Sequence, residues 1–185
     1  MDNTKIIIFS ASIKEVNAIL YQTNIKFIKN GNLFSAIYKS IDIQIYITGI
    51  GIDTIIFFHN FHIKNSENDS KNFYFKFGTC GVISNIPLLN IVSPNLIHYE
   101  DKCIKLNNSY STNNSLMTVT KKLNSVFNFS GIDLIDMETF FVVEKIKNVI
   151  PILVTTDYDN KNEFINNLTK ASSILKDFFI DLLTR

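Results

Sequence analysis

The sequence predicts an α/β fold, a single-domain three-layer fold with a central mixed, twisted sheet. Short apolar runs of strand length alternate along the chain with longer segments of helical period, a pattern that favours a sheet covered by helices. Hydrophobic residues make up 46% of the chain and charged residues 19%, which is a globular composition. Because 185 residues is an ordinary length for one domain, we expect a single unit over residues 1–185.

The N-terminal third predicts a strand, a helix and a hairpin. Residues 6–9 are all apolar, as in a strand that is buried on both faces. Ser12 followed by Glu15 matches the Ser-x-x-Glu capping pattern, so a helix is expected to begin there. Residues 33–38 and 41–48 are interpreted as a hairpin, since apolar residues alternate along the second run.

The rest of the chain continues the alternation. An aromatic-rich helix is predicted over residues 53–63, and an exposed polar loop follows over residues 64–71. A strand over residues 73–77 is expected to end in a glycine turn at residues 78–81. Further strands are predicted over residues 90–94, 97–104, 116–120, 133–135 and 152–155, and further helices over residues 137–147 and 163–183.

Charge and composition exclude several classes of partner. The net charge is +1 and the lysines are scattered, so no nucleic-acid partner is expected. The sequence has no recognisable targeting segment, and no apolar stretch reaches the roughly 18 residues of a membrane helix. We therefore expect a cytoplasmic protein without a membrane partner. Cys80 and Cys103 are too few for a disulfide framework and lack metal-ligand spacing.

The histidines do not form an evident metal site. His59 and His62 are three residues apart on the predicted helix, and no nearby carboxylate or cysteine clearly completes a ligand set with them. His98 lies far away along the chain. We expect these histidines to have ordinary surface or interface roles, and we expect no metal.

Four predicted strand ends carry carboxylates, hydroxyls or glycines. They lie at residues 10–15, 78–81, 136–138 and 155–157. In α/β sheets, ligands bind beyond the carboxyl ends of the strands, so these segments are expected to share one site. Taken singly, Glu15 could be only a helix cap, Glu138 a charge at a helix start and Asp157 a loop residue. It is the order of these residues along the chain that indicates a catalytic site.

That ordered set resembles the purine nucleoside phosphorylase and methylthioadenosine/adenosylhomocysteine nucleosidase superfamily over almost the whole chain. The similarity is closest to the nucleosidase branch, of which this chain looks like a shortened member. The most specific element is the pairing of Asp136-Met-Glu138 with Asp157 at the next strand end. The other motifs are Ser10-Ala-Ser-Ile-Lys-Glu-Val, Ile47-Thr-Gly-Ile-Gly51, Phe77-Gly-Thr-Cys-Gly-Val and Val154-Thr-Thr-Asp157.

The resemblance implies a phosphorylase/hydrolase-like fold and hydrolysis of the N-glycosidic bond of a purine nucleoside. The nucleoside would be methylthioadenosine (MTA), adenosylhomocysteine (SAH) or a relative such as futalosine. By resemblance, Asp157 would be the general acid for the purine and Glu15 the general base for water. Glu138 would bind the ribose hydroxyls, with Met137 packed on the sugar. The remaining substrate-binding residues implied are Ser10, Thr79, Cys80, Gly81, Thr118 and Asp136. The resemblance implies no cofactor, and it implies a homodimer.

Two departures from the family pattern keep alternatives open. The chain is short near residues 107–115 and 120–131, where relatives build the purine wall, so the identity of the nucleoside stays open. Phosphorolytic relatives hold phosphate with arginines, whereas the one arginine here is Arg185. Hydrolysis is therefore favoured, although Lys76 beside the glycine motif leaves phosphorolysis as an alternative. A degenerate protein that binds nucleosides without cleaving them and a purely structural dimer module are further alternatives.

Overall fold

The computed structural model describes residues 4–61, 71–120, 130–158 and 160–184. The strands are β1 (Lys5–Ser10), β2 (Ile28–Asn30), β3 (Leu33–Tyr38), β4 (Ile41–Ile47), β5 (Asn72–Val82), β6 (Ile91–Val92), β7 (Pro94–Tyr99), β8 (Lys102–Lys105), β9 (Thr112–Thr118), β10 (Leu134–Asp136) and β11 (Ile150–Asp157). The helices are α1 (Ile13–Gln22), α2 (Ile52–Asn60), α3 (Thr139–Lys145) and α4 (Lys161–Thr184). The expected α/β fold is confirmed.

The strands form one mixed, 11-stranded sheet. The main path runs β2-β3-β4-β1-β5-β10-β9-β7-β8, and β11 lies on the other edge of β5, where it also pairs with β6. β1 is parallel to both β4 and β5, and β5 is parallel to β11. β10 pairs with β5 in the antiparallel direction. The predicted hairpin of the N-terminal third is β3 and β4.

Helices α1 and α4 cover one face of the sheet. Their apolar residues pack against one set of alternating strand side chains, because successive residues of a strand point to opposite faces. Ile6 and Ile8 of β1 and Phe75 and Phe77 of β5 belong to this layer. The helical members of the same core are Val16, Ile19, Leu20, Ala171, Leu175, Phe179 and Leu183.

Helices α2 and α3 cover the opposite face, which completes the three layers. Phe9 of β1 lies among the rings of Tyr46, Phe58 and Phe61, with centroids 5.4–5.8 Å away. Phe58 of α2 is thus core, and Phe57 and Phe61 pack against this core as partly buried residues. The buried apolar residues contributed by α3 are Phe140, Phe141, Val142 and Val143.

The predicted glycine turn at residues 78–81 is wrong. β5 continues through these residues to Val82, because β11 pairs with it along this whole stretch, from Leu153 opposite Gly78 to Asp157 opposite Gly81. Long-range pairing overrides the local tendency of glycine to break a strand. A glycine inside a strand marks a place where other groups approach the backbone closely.

Other boundaries also differ from prediction. Residues 97–104 are not one strand, since Glu100 has a positive φ of 53° and the chain reverses between β7 and β8. The helix predicted from residue 137 begins at Thr139, with Glu138 as its N-cap residue. Among the described residues, no helix is long and apolar enough to cross a membrane.

Candidate active site

The candidate site lies at a fork in the sheet, on one edge of β5. Along this edge β1 pairs with β5 as far as Lys76, and β10 pairs with it from Gly81 onward. Between these two neighbours, no strand of the described residues pairs with residues 77–80 on that side. The fork is a topological switch point, where ligands gather in open α/β sheets. Side chains from α1 and from β5 itself fill the place of the missing strand.

Glu15 is the main group in the fork. Its Oε1 accepts hydrogen bonds from the backbone N–H and the hydroxyl of Thr79, both at 3.0 Å. Its Oε2 accepts hydrogen bonds from Ser10 Oγ and from the Ser12 N–H, both at 3.1 Å. The carboxylate is buried and only 5% exposed. Four donors therefore hold it in one orientation beside β5.

The capping pattern of α1 explains how Glu15 reaches this position. Ser12 is the N-cap residue of the helix, and Glu15 occupies the third helical position, from which its side chain turns back to the Ser12 N–H. The capping and the catalytic interpretations of Glu15 are thus compatible. Oε2 accepts the capping hydrogen bond from the Ser12 N–H and a second one from Ser10 Oγ. Oε1 binds Thr79 of β5, the strand that forms the site.

Asp157 ends β11 on the other edge of β5. Its Oδ1 accepts a hydrogen bond of 2.8 Å from Thr156 Oγ1. A Cβ added to Gly81 would lie 3.6 Å from Asp157 Oδ2, so the carboxylate passes directly over the bare backbone of this glycine. The segment Thr79–Gly81 is therefore flanked by Glu15 on one edge of the strand and by Asp157 on the other.

Glu138 and Met137 meet the glycine turn that precedes α2. The Gly51 N–H donates to Glu138 Oε1 at 3.2 Å. Gly51 has a φ of +58°, and a Cβ at this position would lie 3.3 Å from Met137 Cε. The pKa of Glu138 is raised to about 8, mainly because the carboxyl group is buried; the charge of Lys76 lowers this pKa, whereas the negative charges of Asp136 and Glu15 contribute to its rise.

Asp136 is engaged by protein groups. Its Oδ1 accepts a 2.7 Å hydrogen bond from Thr118 Oγ1, and its Oδ2 accepts from both the N–H and the hydroxyl of Thr139. Thr118 Oγ1 also accepts from the Phe140 N–H at 2.9 Å. Asp136 and Thr118 thus hold the start of α3, and with it Glu138, in place. Their predicted contact with substrate stays a prediction.

Lys76, which leaves phosphorolysis open as an alternative in the sequence, lies fully buried in the fork among carboxylates, an environment that the sequence did not predict. Its Nζ donates to the carbonyl of Phe77 at 3.2 Å. Burial alone would lower the pKa of Lys76, but the carboxylates of Glu15, Glu138 and Asp136 outweigh it and raise that pKa. A lysine between two phenylalanines in an apolar strand is the sequence signal that could have marked this position.

Cys80 is also buried within this group of charges, with 3% exposure. Burial, followed by the charge of Asp136, raises the pKa of its thiol well above the ordinary value. The thiol is therefore neutral and packs as part of the apolar core between the sheet and α3. The role of Cys80 in lining the substrate pocket stays a prediction.

The described residues contain no group of three or more histidine, cysteine or acidic residues placed to hold a metal ion. His62 lies outside the described residues, so the predicted pair with His59 has no structural description. His98 lies in β7, where its Nε2 is 3.9 Å from the Sγ of Cys103 across the hairpin. A surface groove of about 580 Å³ lies between α2 and the end of β4, and neither Glu15, Glu138 nor Asp157 lines it.

No protein-family model matches the sequence, and no curated protein matches it. Solved structures do match. The methylthioadenosine/adenosylhomocysteine nucleosidase (MTAN) of Chlamydia trachomatis matches with a TM-score of 0.80 at 15% identity, over 99% of this chain and 98% of that chain. An aspartate-to-asparagine variant of the Chlamydia protein bound to MTA matches with a TM-score of 0.79 at 17% identity, over 97% of both chains.

A second bacterial enzyme has the same architecture. The MTAN of Helicobacter pylori, in complex with butyl-thio-DADMe-Immucillin-A, matches with a TM-score of 0.78 at 14% identity. That alignment covers 100% of this chain and 99% of the Helicobacter chain. The chain therefore has the fold of the MTA/SAH nucleosidases, which is the fold that its motifs implied.

Proposed function

We propose that residues 1–185 form one catalytic domain that hydrolyses the N-glycosidic bond of a purine nucleoside, releasing the free base and the ribose product. The observation that carries the proposal is the placement of two carboxylates around one stretch of β5. Glu15 binds Thr79 on one edge, and Asp157 lies over Gly81 on the other. A general base and a general acid are needed on opposite sides of the bond that breaks.

The proposed reaction has two proton transfers, one from Asp157 and one to Glu15. Asp157 donates its proton to a ring nitrogen of the purine, so that the base leaves as a neutral molecule when the C1′–N bond breaks. The ribose then carries an oxocarbenium-like charge, which a water molecule attacks at C1′. Glu15 takes the proton from that water. Glu138 accepts hydrogen bonds from the ribose hydroxyls, and these strengthen as the sugar becomes positive.

The fold neighbours support MTA and SAH as first choices of substrate. A Chlamydia structure holds MTA, another holds adenine, and the Helicobacter enzyme is named for both nucleosides. Futalosine is the third candidate. Purified protein incubated with each nucleoside in phosphate-free buffer should release free base. Protection from thermal unfolding without base release would instead support a binding protein that does not turn over.

Charge in the fork supports water over phosphate as the nucleophile. Lys76 is surrounded by Glu15, Asp136 and Glu138, so the local charge is negative and repels a phosphate dianion. The rate of base release is therefore expected to be the same with and without added phosphate. A strict requirement for phosphate, with ribose 1-phosphate as product, would overturn the hydrolytic assignment.

The high pKa of Glu138 predicts a pH dependence. A carboxyl group with a pKa of about 8 is protonated below that pH, and its ionised form accepts stronger, charge-assisted hydrogen bonds from the ribose hydroxyls than the neutral form does. We expect kcat/KM to rise as the pH increases through about 8. Glu138→Gln should lower kcat/KM roughly 10- to 100-fold and remove this rising limb. A limb that persists in the variant would assign it to another group.

The cytoplasmic location stays a prediction from the sequence. We also propose that the protein forms a homodimer through α2. Ile52 and Ile56 of this helix are 63% and 54% exposed, next to the exposed Ile50. Unpartnered apolar side chains grouped on one helix are typical of subunit interfaces. The turn before this helix also binds Glu138 through Gly51, so an interface here would adjoin the candidate site.

A charged substitution on the exposed face of α2 tests whether this helix forms the dimer interface. Ile52→Glu should shift the protein towards monomer, because burying an unpaired carboxylate in an interface costs several kcal/mol. Light scattering after size-exclusion chromatography measures the mass. Ile165→Glu on α4 is the matched control, since Ile165 is 55% exposed on the opposite layer. A wild-type protein that is monomeric at high concentration would contradict the proposal.

A further inference from the structure

Lys76 has an environment that core packing does not explain. It is fully buried in β5, next to Phe75 and Phe77, whose rings pack into the core against α1 and α4. Burying an ammonium group is unfavourable unless opposite charges compensate for the lost water. An apolar residue would fill this position of the strand at a lower free-energy cost.

Gly78 makes room for the ammonium group. A Cβ at Gly78 would overlap Lys76 Nζ and would lie 3.2 Å from Glu15 Oε1, so both groups approach the same bare backbone. Within the described part of the chain, Lys76 forms no ion pair shorter than 4.0 Å. The ammonium and the Glu15 carboxylate thus lie within the roughly 4–6 Å over which opposite charges strongly affect ionisation.

The titratable groups that face Lys76 come from separate elements. Glu15 comes from α1, Asp136 from β10, Glu138 from the start of α3, and Cys80 from β5 itself. Asp136 and Cys80 are held by the protein, in hydrogen bonds and in core packing respectively. Glu15 and Glu138 are the two groups to which the proposed function gives a role with water and ribose.

We propose that Lys76 is a positioning residue of the site: its buried ammonium group is the counter-charge of Glu15 and Glu138 and decides over which pH range a nucleoside can be bound and cleaved. The proposal rests on the proposed function. Lys76 acts through the two carboxylates and does not touch the substrate. Its charge stabilises the anionic form of Glu138, where burial favours the neutral form, and its ammonium group lies close to the Glu15 carboxylate.

The test compares Lys76→Met with wild type across the pH range. In wild type the rising limb of kcat/KM should lie near pH 8, the pKa of Glu138. Without the ammonium charge, the limb should move to higher pH by about one unit or more, which lowers kcat/KM at pH 7 about tenfold or more. Lys5→Met is the matched control, because Lys5 lies on β1 beside Asp42, at the far end of the strands. Its profile should be unchanged.

Thermal unfolding provides a second measurement that does not need activity. The Tm of Lys76→Met should fall well below that of wild type at pH 8, and the gap should close towards pH 5, where Glu138 is protonated in both proteins. Gly78→Ala, which displaces the ammonium group without removing it, should shift the activity profile in the same direction. A uniform loss of activity and of Tm at all pH values would overturn the proposal. A wild-type protein that releases no base would instead defeat the proposed function, while leaving the pH-dependent Tm gap measurable.

Discussion

Asp157→Asn will lower kcat for MTA about 10²- to 10⁴-fold while leaving nucleoside binding largely intact. Asparagine has nearly the same shape as aspartate, and its Oδ1 can still accept the hydrogen bond from Thr156. The amide cannot deliver a proton to the purine, so the leaving group would have to depart as an anion. Aspartate-to-asparagine variants of the Chlamydia and Helicobacter enzymes hold MTA in their structures.

The measurement pairs base release with calorimetric binding of MTA. Asp42→Asn is the control, because Asp42 lies at the opposite end of the sheet, beside Lys5. A riboside with a p-nitrophenolate leaving group sharpens the test, since this group departs without a proton. Asp157→Asn should cleave that substrate nearly as fast as wild type. If the variant keeps MTA activity within about tenfold of wild type, Asp157 is not the acid.

The parts of the site that follow from local pattern were predictable from the sequence. The Ser12–Glu15 capping pattern is a short-range signal, and the structure has the expected capping contact. The apolar runs over residues 6–9 and 152–155 likewise predict β1 and β11, which extend slightly further, to Ser10 and Asp157. These ends place the two proposed catalytic carboxylates.

The rest depends on contacts between elements that are distant along the chain. The path of β5 through Gly78 and Gly81 is set by pairing with β11, which no local pattern reveals. The charge environment of Lys76 arises from α1, β10 and the start of α3 together. The hydrogen bonds that Asp136 accepts from Thr118 of β9 and Thr139 of α3 also join distant parts of the chain. Side-chain partners of this kind become visible only in three dimensions.

Glu15→Gln separates the catalytic from the structural role of the other carboxylate. Glutamine has one acceptor oxygen and one NH₂ group, whereas Glu15 accepts a backbone N–H on each oxygen, from Ser12 and from Thr79. In either orientation the NH₂ group faces a backbone N–H. We therefore expect the free energy of unfolding to fall by about 1–3 kcal/mol. If Glu15 is the base, kcat of the folded variant should also fall about 10²- to 10⁴-fold.

Ser172→Ala is the control, because it removes the buried hydrogen bond that Ser172 Oγ accepts from the Ala18 N–H of α1 and leaves every contact of Glu15 in place. That variant should lose stability with little change in kcat. The p-nitrophenyl riboside distinguishes the base from the acid. Attack by water on this substrate still requires a base, so Glu15→Gln should cleave it slowly. Asp157→Asn should cleave it fast, because the leaving group needs no proton. A Glu15→Gln protein that is less stable but turns over near the wild-type rate would reduce Glu15 to a helix cap, and water would then have to be activated by another group in the fork.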